Sequence, residues 1–252
     1  MRQLLDYFSR DNARNFSTSL TWSTDSRGQT LANAFPSFRW VFPQAPNREI
    51  ASDPGTIWSQ WFDVWNVRDF AEREELQAVG LCEVVPALKK LLADEAAQLG
   101  GRWDRIVLAG ISMGAATGVH ILFNLEVPPE GGGRLAAFLG FSCRCPFAGR
   151  DLAGMRSALG LADASGDERV LRSTPVLLEH CVDDPLVLVE QGRRLRETLR
   201  GYCTQVEWRE YPNGGHWFNS PDGMDDALGF LRRIVVGDAD AASGEDVVID
   251  PE

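Results

Sequence analysis

One pentapeptide, Gly110-Ile111-Ser112-Met113-Gly114, has the residue types and spacing to present a nucleophile. A serine that ends a strand and opens a helix sits on a very tight turn. Side chains two positions before and after it would collide, so both must be small. The helix then aims its dipole and its unpaired N–H groups at any oxyanion that forms on the attacked carbonyl. Such a serine needs a base and a group to orient that base. The chain has three histidines, at 120, 180 and 216. His120 falls two turns into the helix after Ser112 and reads as a packing residue. His180 ends an apolar run and reads as a structural hydrogen-bonding residue. His216 lies in Tyr211-Pro212-Asn213-Gly214-Gly215-His216, a loop after the last expected strand, where a base can reach a nucleophile at the carboxyl edge of a sheet. An acid between serine and histidine is offered twice, by Asp183 and Asp184 in His180-Cys181-Val182-Asp183-Asp184-Pro185. One would face the imidazole and the other would cap the helix that Pro185 begins; residue chemistry does not divide the two.

Other chemistries fit less well. Cys143 and Cys145 lack a second pair at zinc-site spacing, so no metal is expected. Gly131-Gly132-Gly133 precedes a strand instead of following one, so it reads as a loop and not a phosphate cradle, and no cofactor is expected. Trp58, Trp61 and Trp65 read as core and pocket wall.

The elements that must position these residues follow from periodicity. Phe38–Phe42 is expected as a short strand stopped by Pro43. Leu81, Val84, Val85, Leu88, Leu91, Leu92 and Leu99 mark one face of a helix that Gly100-Gly101 ends. Arg105–Ala109, Leu135–Phe141, Pro175–Glu179 and Val206–Tyr211 read as strands. Met113–Asn124, Pro185–Arg200 and Asp222–Val236 read as helices; residues 142–173 show no clear period. This alternation predicts an α/β fold, a mostly parallel, doubly wound sheet with helices on both faces.

The chain has 252 residues, enough for one domain with a full core, expected over 1–236. Its net charge is −11, and six acids, Asp238, Asp240, Glu245, Asp246, Asp250 and Glu252, lie in the last stretch without a base. Residues 237–252 are therefore read as a solvated, disordered acidic tail. An acidic body without a basic stripe excludes nucleic acid as an expected partner. No run of eighteen apolar residues exists to span a bilayer, so no integral membrane segment is expected. Five unpatterned cysteines and a start (1–10) without a secretory apolar core point to a reducing, cytoplasmic setting.

Five segments in order resemble the phospholipase/carboxylesterase family, the acyl-protein thioesterase group of α/β-hydrolases, with spacing similar to its fungal members. They are Val41–Pro46, Trp61-Phe62-Asp63, the pentapeptide around Ser112, Asp184-Pro185-Leu186-Val187 and Tyr211–His216. The resemblance covers about residues 10–236. It implies an α/β-hydrolase fold and resolves the acid, because the family's His-Gly-x-x-Asp-Pro falls on His180–Pro185 and places its aspartate at Asp184. The implied catalytic residues are Ser112, Asp184 and His216. The Met113 N–H is the implied first oxyanion donor, and the backbone of Arg10 or Asp11 the second. Trp61, Arg144 and Trp217 are expected on the pocket wall. Cys181 departs from the family's glycine, and Arg144 stands where relatives often carry an aromatic residue. The family's amino-terminal apolar strand and His-Gly turn are not matched: Leu4–Phe8 is short and polar. Either residues 2–8 fill that strand's slot or the chain is a truncated or mis-spliced version.

The resemblance implies a serine hydrolase that cleaves carboxylic esters or acyl thioesters of small molecules or acylated proteins. A second hypothesis is a catalytically impaired binding module on the same fold, since losing one oxyanion donor costs about 10²–10³ in rate. A peptidase has less support, because no added element is present to hold a peptide leaving group.

Overall fold

The computed structural model describes residues 3–4, 13–161, 168–203 and 205–242. In chain order the elements are β1 (Gln3–Leu4), α1 (Ala13–Ser19), α2 (Leu31–Ala34), β2 (Arg39–Trp40), β3 (Asn47–Ile50), β4 (Asp53–Ser59), α3 (Glu75–Gln98), β5 (Val107–Ile111), α4 (Ser112–Asn124), β6 (Ala137–Phe141), α5 (Leu152–Ala158), α6 (Arg169–Ser173), β7 (Val176–Cys181), α7 (Val189–Arg200), β8 (Val206–Tyr211) and α8 (Asp222–Ala242).

Strands β5, β6, β7 and β8 pair in that order, all parallel, with Ile111 opposite Phe141, Phe141 opposite Glu179 and Cys181 opposite Tyr211. Every residue of β5, β6 and β7 is buried, as expected for apolar runs covered on both faces. Alternate side chains feed two separate cores. Leu108, Phe138, Val176 and Leu178 pack with α3, α4 and α7 on one face. Val107, Ala109, Ile111, Leu139, Phe141 and Leu177 pack with α1, α2 and α8 on the other. The fold is thus the doubly wound α/β arrangement expected.

Boundaries move where local chemistry overrides periodicity. Helix α3 begins at Glu75, so Pro86 lies inside it and removes one helical N–H. The buried stripe of Leu81, Val84, Val85, Leu88 and Leu92 holds the helix despite that loss. Gly100 (φ +70°) and Gly101 (φ +83°) end it in left-handed conformations, with the Gly101 N–H returning to the Ala96 carbonyl at 2.8 Å. Helix α7 begins at Val189 and not at Pro185. Asp184 Oδ1 accepts the N–H groups of Leu186 (2.9 Å) and Val187 (3.0 Å), and this turn occupies the residues expected as the first helical turn. The antiparallel pair β3–β4 is unexpected from the sequence, because Pro54 and Gly55 interrupt β4.

At the amino end, Gln3 pairs with Arg39 and Leu4 with Trp40 in parallel, and β1 lies against β5. These two residues pair with β2 and lie beside β5 without a ladder to it among the described residues. Helix α8 extends to Ala242, six residues into the stretch read as a disordered tail. Arg10, Asp11 and residues 243–252 lie outside the described residues.

Candidate active site

Ser112 stands at the junction of β5 and α4 with φ +54°, a left-handed conformation that costs a non-glycine residue about 1–3 kcal/mol. The junction leaves no room for a side chain at Gly110: a Cβ there would lie 2.5 Å from the Ala115 nitrogen and 2.6 Å from the Gly114 carbonyl carbon. Farther along α4, a Cβ on Gly118 would meet the Phe138 ring at 2.8 Å, so glycine lets the helix seat directly on β6. The strand is paired and buried, the helix is buried from Ala115 to Asn124, and together they hold the turn. The first N–H groups of α4 have no acceptor within the helix and are available to an anion beside Ser112.

His216 and Asp184 come from loops after the two following strands, β8 and β7. His216 Nδ1 donates to Asp184 Oδ2 at 2.7 Å. The carboxylate is fully buried and the imidazole nearly so, with 0% and 8% of their side-chain surfaces exposed. Burial alone pushes the Asp184 carboxyl up. The hydrogen bonds from His180 and His216, the His216 charge and the Val187 N–H outweigh burial and hold it well below the usual carboxylate range. Asp184 is therefore ionised at neutral pH.

Two neighbours support this pair. His180 is buried; its Nε2 donates to the Val187 carbonyl at 2.7 Å and lies 3.5 Å from Asp184 Oδ2. The ring is admitted because residue 192 is glycine; a Cβ there would lie 2.4 Å from His180 Nδ1. The structural reading of His180 thus acquires a specific object, the Asp184–Val187 turn. Asp183 does not cap a helix. It accepts the N–H groups of Gly214 (3.3 Å) and Gly215 (2.8 Å) in the loop that carries His216. The adjacent-aspartate pattern was visible in the sequence, but this brace was not.

Ser112, Met113 and His216 line a cavity of about 570 Å³ whose wall also includes Phe62, Phe70 and Arg144. Of the three expected wall residues, Arg144 lines it. Trp61 and Trp217 are not among its lining residues: Trp61 is buried in the core on the α3 side, and Trp217 packs against Phe16 and Phe218 and donates to Ser23 Oγ at 3.0 Å. Trp61 is drawn into an apolar core, and Trp217 is half-buried against the other core. Cys181 packs against the His216 loop, where a Cβ on Gly214 would lie 2.6 Å from its sulfur. Burial first, then the charges of Asp183, Asp184 and Glu179, push its thiol up to about 11, so it stays protonated. His120, as expected, is a packing residue: it is fully buried, edge-on to Phe123, with Nε2 3.1 Å from the Pro146 carbonyl. Among the described residues no cluster of three or more His, Cys, Asp or Glu side chains could hold a metal, and no helix is long and apolar enough to cross a membrane.

The chain is similar to known hydrolases throughout this architecture. It is 27% identical over 220 residues to acyl-protein thioesterase 1 of Gibberella zeae, covering 84% of this chain and 83% of that protein. It is 23% identical over 193 residues to the Arabidopsis thaliana carboxylesterase SOBER1, covering 77% and 74%. The crystal structure of SOBER1 superposes with a TM-score of 0.70 over 93% of this chain and 98% of that one, at 20% identity, which shows the shared fold. Residues 24–235 match the phospholipase/carboxylesterase family. The chain belongs to that family, a family of carboxylic ester hydrolases on the α/β-hydrolase fold.

Proposed function

We propose that this protein is a serine hydrolase that cleaves carboxylic esters or acyl thioesters through Ser112, His216 and Asp184. The observation that carries the reading is the 2.7 Å bond from His216 Nδ1 to Asp184 Oδ2, with His216 lining the same cavity as a serine held on a strained strand-to-helix turn.

In the reaction, His216 Nε2 takes the Ser112 hydroxyl proton as Oγ attacks the acyl carbon. The imidazolium that forms is stabilised by Asp184, which stays ionised. The charge on the former carbonyl oxygen meets the Met113 N–H at the start of α4, and a second N–H is assigned to the backbone of Arg10 or Asp11. Collapse of the tetrahedral species breaks the ester or thioester bond. His216 returns the proton to the leaving alcohol or thiol, and the acyl group remains on Ser112. Water, deprotonated by His216, then releases the carboxylic acid and regenerates the serine.

The names of the relatives support a thioester as one substrate form and a small ester as another, on an acylated protein or a free molecule. A cytoplasmic location is supported by the five cysteines, all of them free thiols. The test is hydrolysis of an aryl ester and an acyl thioester by the purified chain, with Ser112→Ala as the paired control. Turnover that disappears in the control supports the reading; turnover that survives it removes Ser112 from the mechanism.

A further inference from the structure

Arg144 is an unusual residue for the wall of an acyl pocket. It follows β6, is only 5% exposed, and lines the same cavity as Ser112. Its guanidinium is held by one amide and faces two rings, the farther being Phe62 at 5.8 Å from its centroid. Nη2 donates to Gln77 Oε1 at 2.7 Å, and the group stacks on the Phe70 ring at 3.9 Å from its centroid. Gln77 is itself buried, and its amide Nε2 donates to the Phe70 carbonyl at 2.9 Å, which turns its oxygen toward Arg144. Ring, amide and guanidinium therefore fix one another's planes.

What this arrangement lacks is an anion. No carboxylate is hydrogen-bonded or ion-paired to Arg144 among the described residues. Glu74, the nearest acidic influence, uses Oε1 to accept the Phe147 N–H at 2.7 Å. Asp63, which also lines the cavity, accepts the N–H groups of Ala51 and Val64 and the Gln60 amide. The flanking thiols are no substitute: burial raises that of Cys143 well above its ordinary value and that of Cys145 to about 12, so both are neutral. Burial lowers the Arg144 guanidinium to about 10, which still leaves it charged at neutral pH. Among the described residues no acceptor other than Gln77 meets its N–H groups, and the residue lines the cavity beside Ser112. A buried, charged donor with unused N–H groups is costly unless an anion meets it.

We propose that Arg144 is a specificity-determining residue that receives a second carboxylate carried on the acyl group, so that the preferred substrates are esters or thioesters of dicarboxylic acids. This rests on the hydrolase reading above. The apolar wall of Phe62, Phe70, Met113 and Ala116 suits the methylenes between the two carboxyl groups. The acyl side is assigned because Arg144 is buried, only 5% exposed, among the apolar residues that suit an acyl chain. The distal carboxylate takes no part in bond breaking; it is held by charge-assisted hydrogen bonds while Ser112 attacks the other end.

The test compares kcat/KM for aryl monoesters of adipate and suberate with the same esters methyl-capped at the far carboxyl, after subtraction of spontaneous hydrolysis. The wild-type enzyme is expected to prefer the uncapped ester by about 10-fold or more, and Arg144→Met to lose or reverse that preference. Equal rates in the wild type, or a preference that persists in folded Arg144→Met, overturn the proposal. A larger preference for esters whose carboxylate sits on the alcohol overturns the acyl-side assignment. Should Arg144→Met fail to fold, competition in the wild type decides: adipate must inhibit better than hexanoate, and the reverse order overturns the proposal. A folded wild-type chain that hydrolyses neither capped nor uncapped ester refutes the hydrolase reading itself, a result distinct from turnover without charge preference.

Discussion

Asp183 and Gly215 are joined across two loops: the Asp183 Oδ1 atom accepts the Gly215 N–H at 2.8 Å, immediately before His216 in the chain. The other oxygen accepts the Gly214 N–H at 3.3 Å. Two consecutive N–H groups thus converge on one carboxylate, with Gly214 and Gly215 at φ +134° and +64°, values that side chains resist. Asp184 orients the imidazole through its ring, and Asp183 orients the backbone that carries it. Asp183→Ala is expected to lower kcat by about tenfold with little change in KM, because a loosened loop costs orientation and not substrate contact. Asp183→Asn keeps an acceptor and should fall between the two. Equal kcat for Asp183→Ala and wild type would remove the brace from the mechanism.

Asp184→Asn is expected to be far more damaging. The amide can still sit beside His216, but it can donate to Nδ1 and stabilise the wrong tautomer, and it cannot stabilise an imidazolium. A loss of ~10⁴ in kcat is expected. The same variant also replaces the charged acceptor of the Leu186 and Val187 N–H groups with a neutral amide oxygen. Circular dichroism and a melting curve should therefore accompany the kinetics: a folded variant with unchanged kcat would take Asp184 out of the catalytic set.

Much of this arrangement was readable in the residues. The buried strands β5, β6 and β7 are continuous apolar runs, and Gly110, Ser112 and Gly114 announce a turn whose sterics only small neighbours survive. Order along the chain then brought Ser112, an aspartate and His216 to one sheet edge. What failed depended on contacts between distant residues. The start of α7 was misplaced because Pro185 fits a first helical turn by propensity, whereas the Asp184 carboxylate captures the N–H groups that turn needs. Strand β4 was invisible because Pro54 and Gly55 belong to its edge. Trp61 and Trp217 are expected beside substrate; Trp61 instead fills core and Trp217 packs half-buried against the other core, a choice decided by neighbours that no local pattern encodes. The unpaired state of Arg144 required knowing that Glu74 and Asp63 are already engaged.

His120 should make the fold acid-sensitive. It is fully buried between Phe123 and Phe147, and burial, with a smaller push from the Arg144 charge, lowers it to about 4 against the Pro146 carbonyl bond that favours its proton. In the unfolded chain the ring takes a proton near pH 6.5. Between these values the unfolded state binds the extra proton, so stability is fully present above about pH 6.5 and is lost as pH falls toward 4. The loss through this group is about 2 kcal/mol on going from pH 7.5 to 5. Urea unfolding at the two pH values, on wild type and His120→Gln, isolates it. The wild type should lose more stability than the variant over this interval, and identical losses would show that His120 does not titrate as its burial requires.

Glu179 should act with the opposite sign. It occupies the middle of the sheet on β7, 3% exposed, and neither carboxylate oxygen has a hydrogen-bond partner among the described residues. Burial first, then the negative charge of Asp226, raise its carboxyl well above the ordinary value, and Arg209 offsets only part of this. Arg209 is itself drawn away, with Nε 3.5 Å from Asp226 Oδ2, and Asp226 also accepts the Tyr211 hydroxyl at 2.9 Å. Below about pH 4.5 native and unfolded chains both hold the Glu179 proton. As pH rises the unfolded chain releases it freely while the native state must either keep it or bury a charge. Stability therefore declines through this group from pH 4.5 upward. Glu179→Gln removes that titration at nearly constant shape. It is expected to stabilise the protein by about 1 kcal/mol or more at neutral pH, with the gain growing as pH rises and vanishing near pH 4.5. Chemical denaturation of both proteins from acid to pH 8 tests this directly. A variant less stable than wild type at neutral pH would mean that Glu179 is ionised and held by the Arg209 charge, and that Asp226 and Glu179 share that cation instead of competing for it.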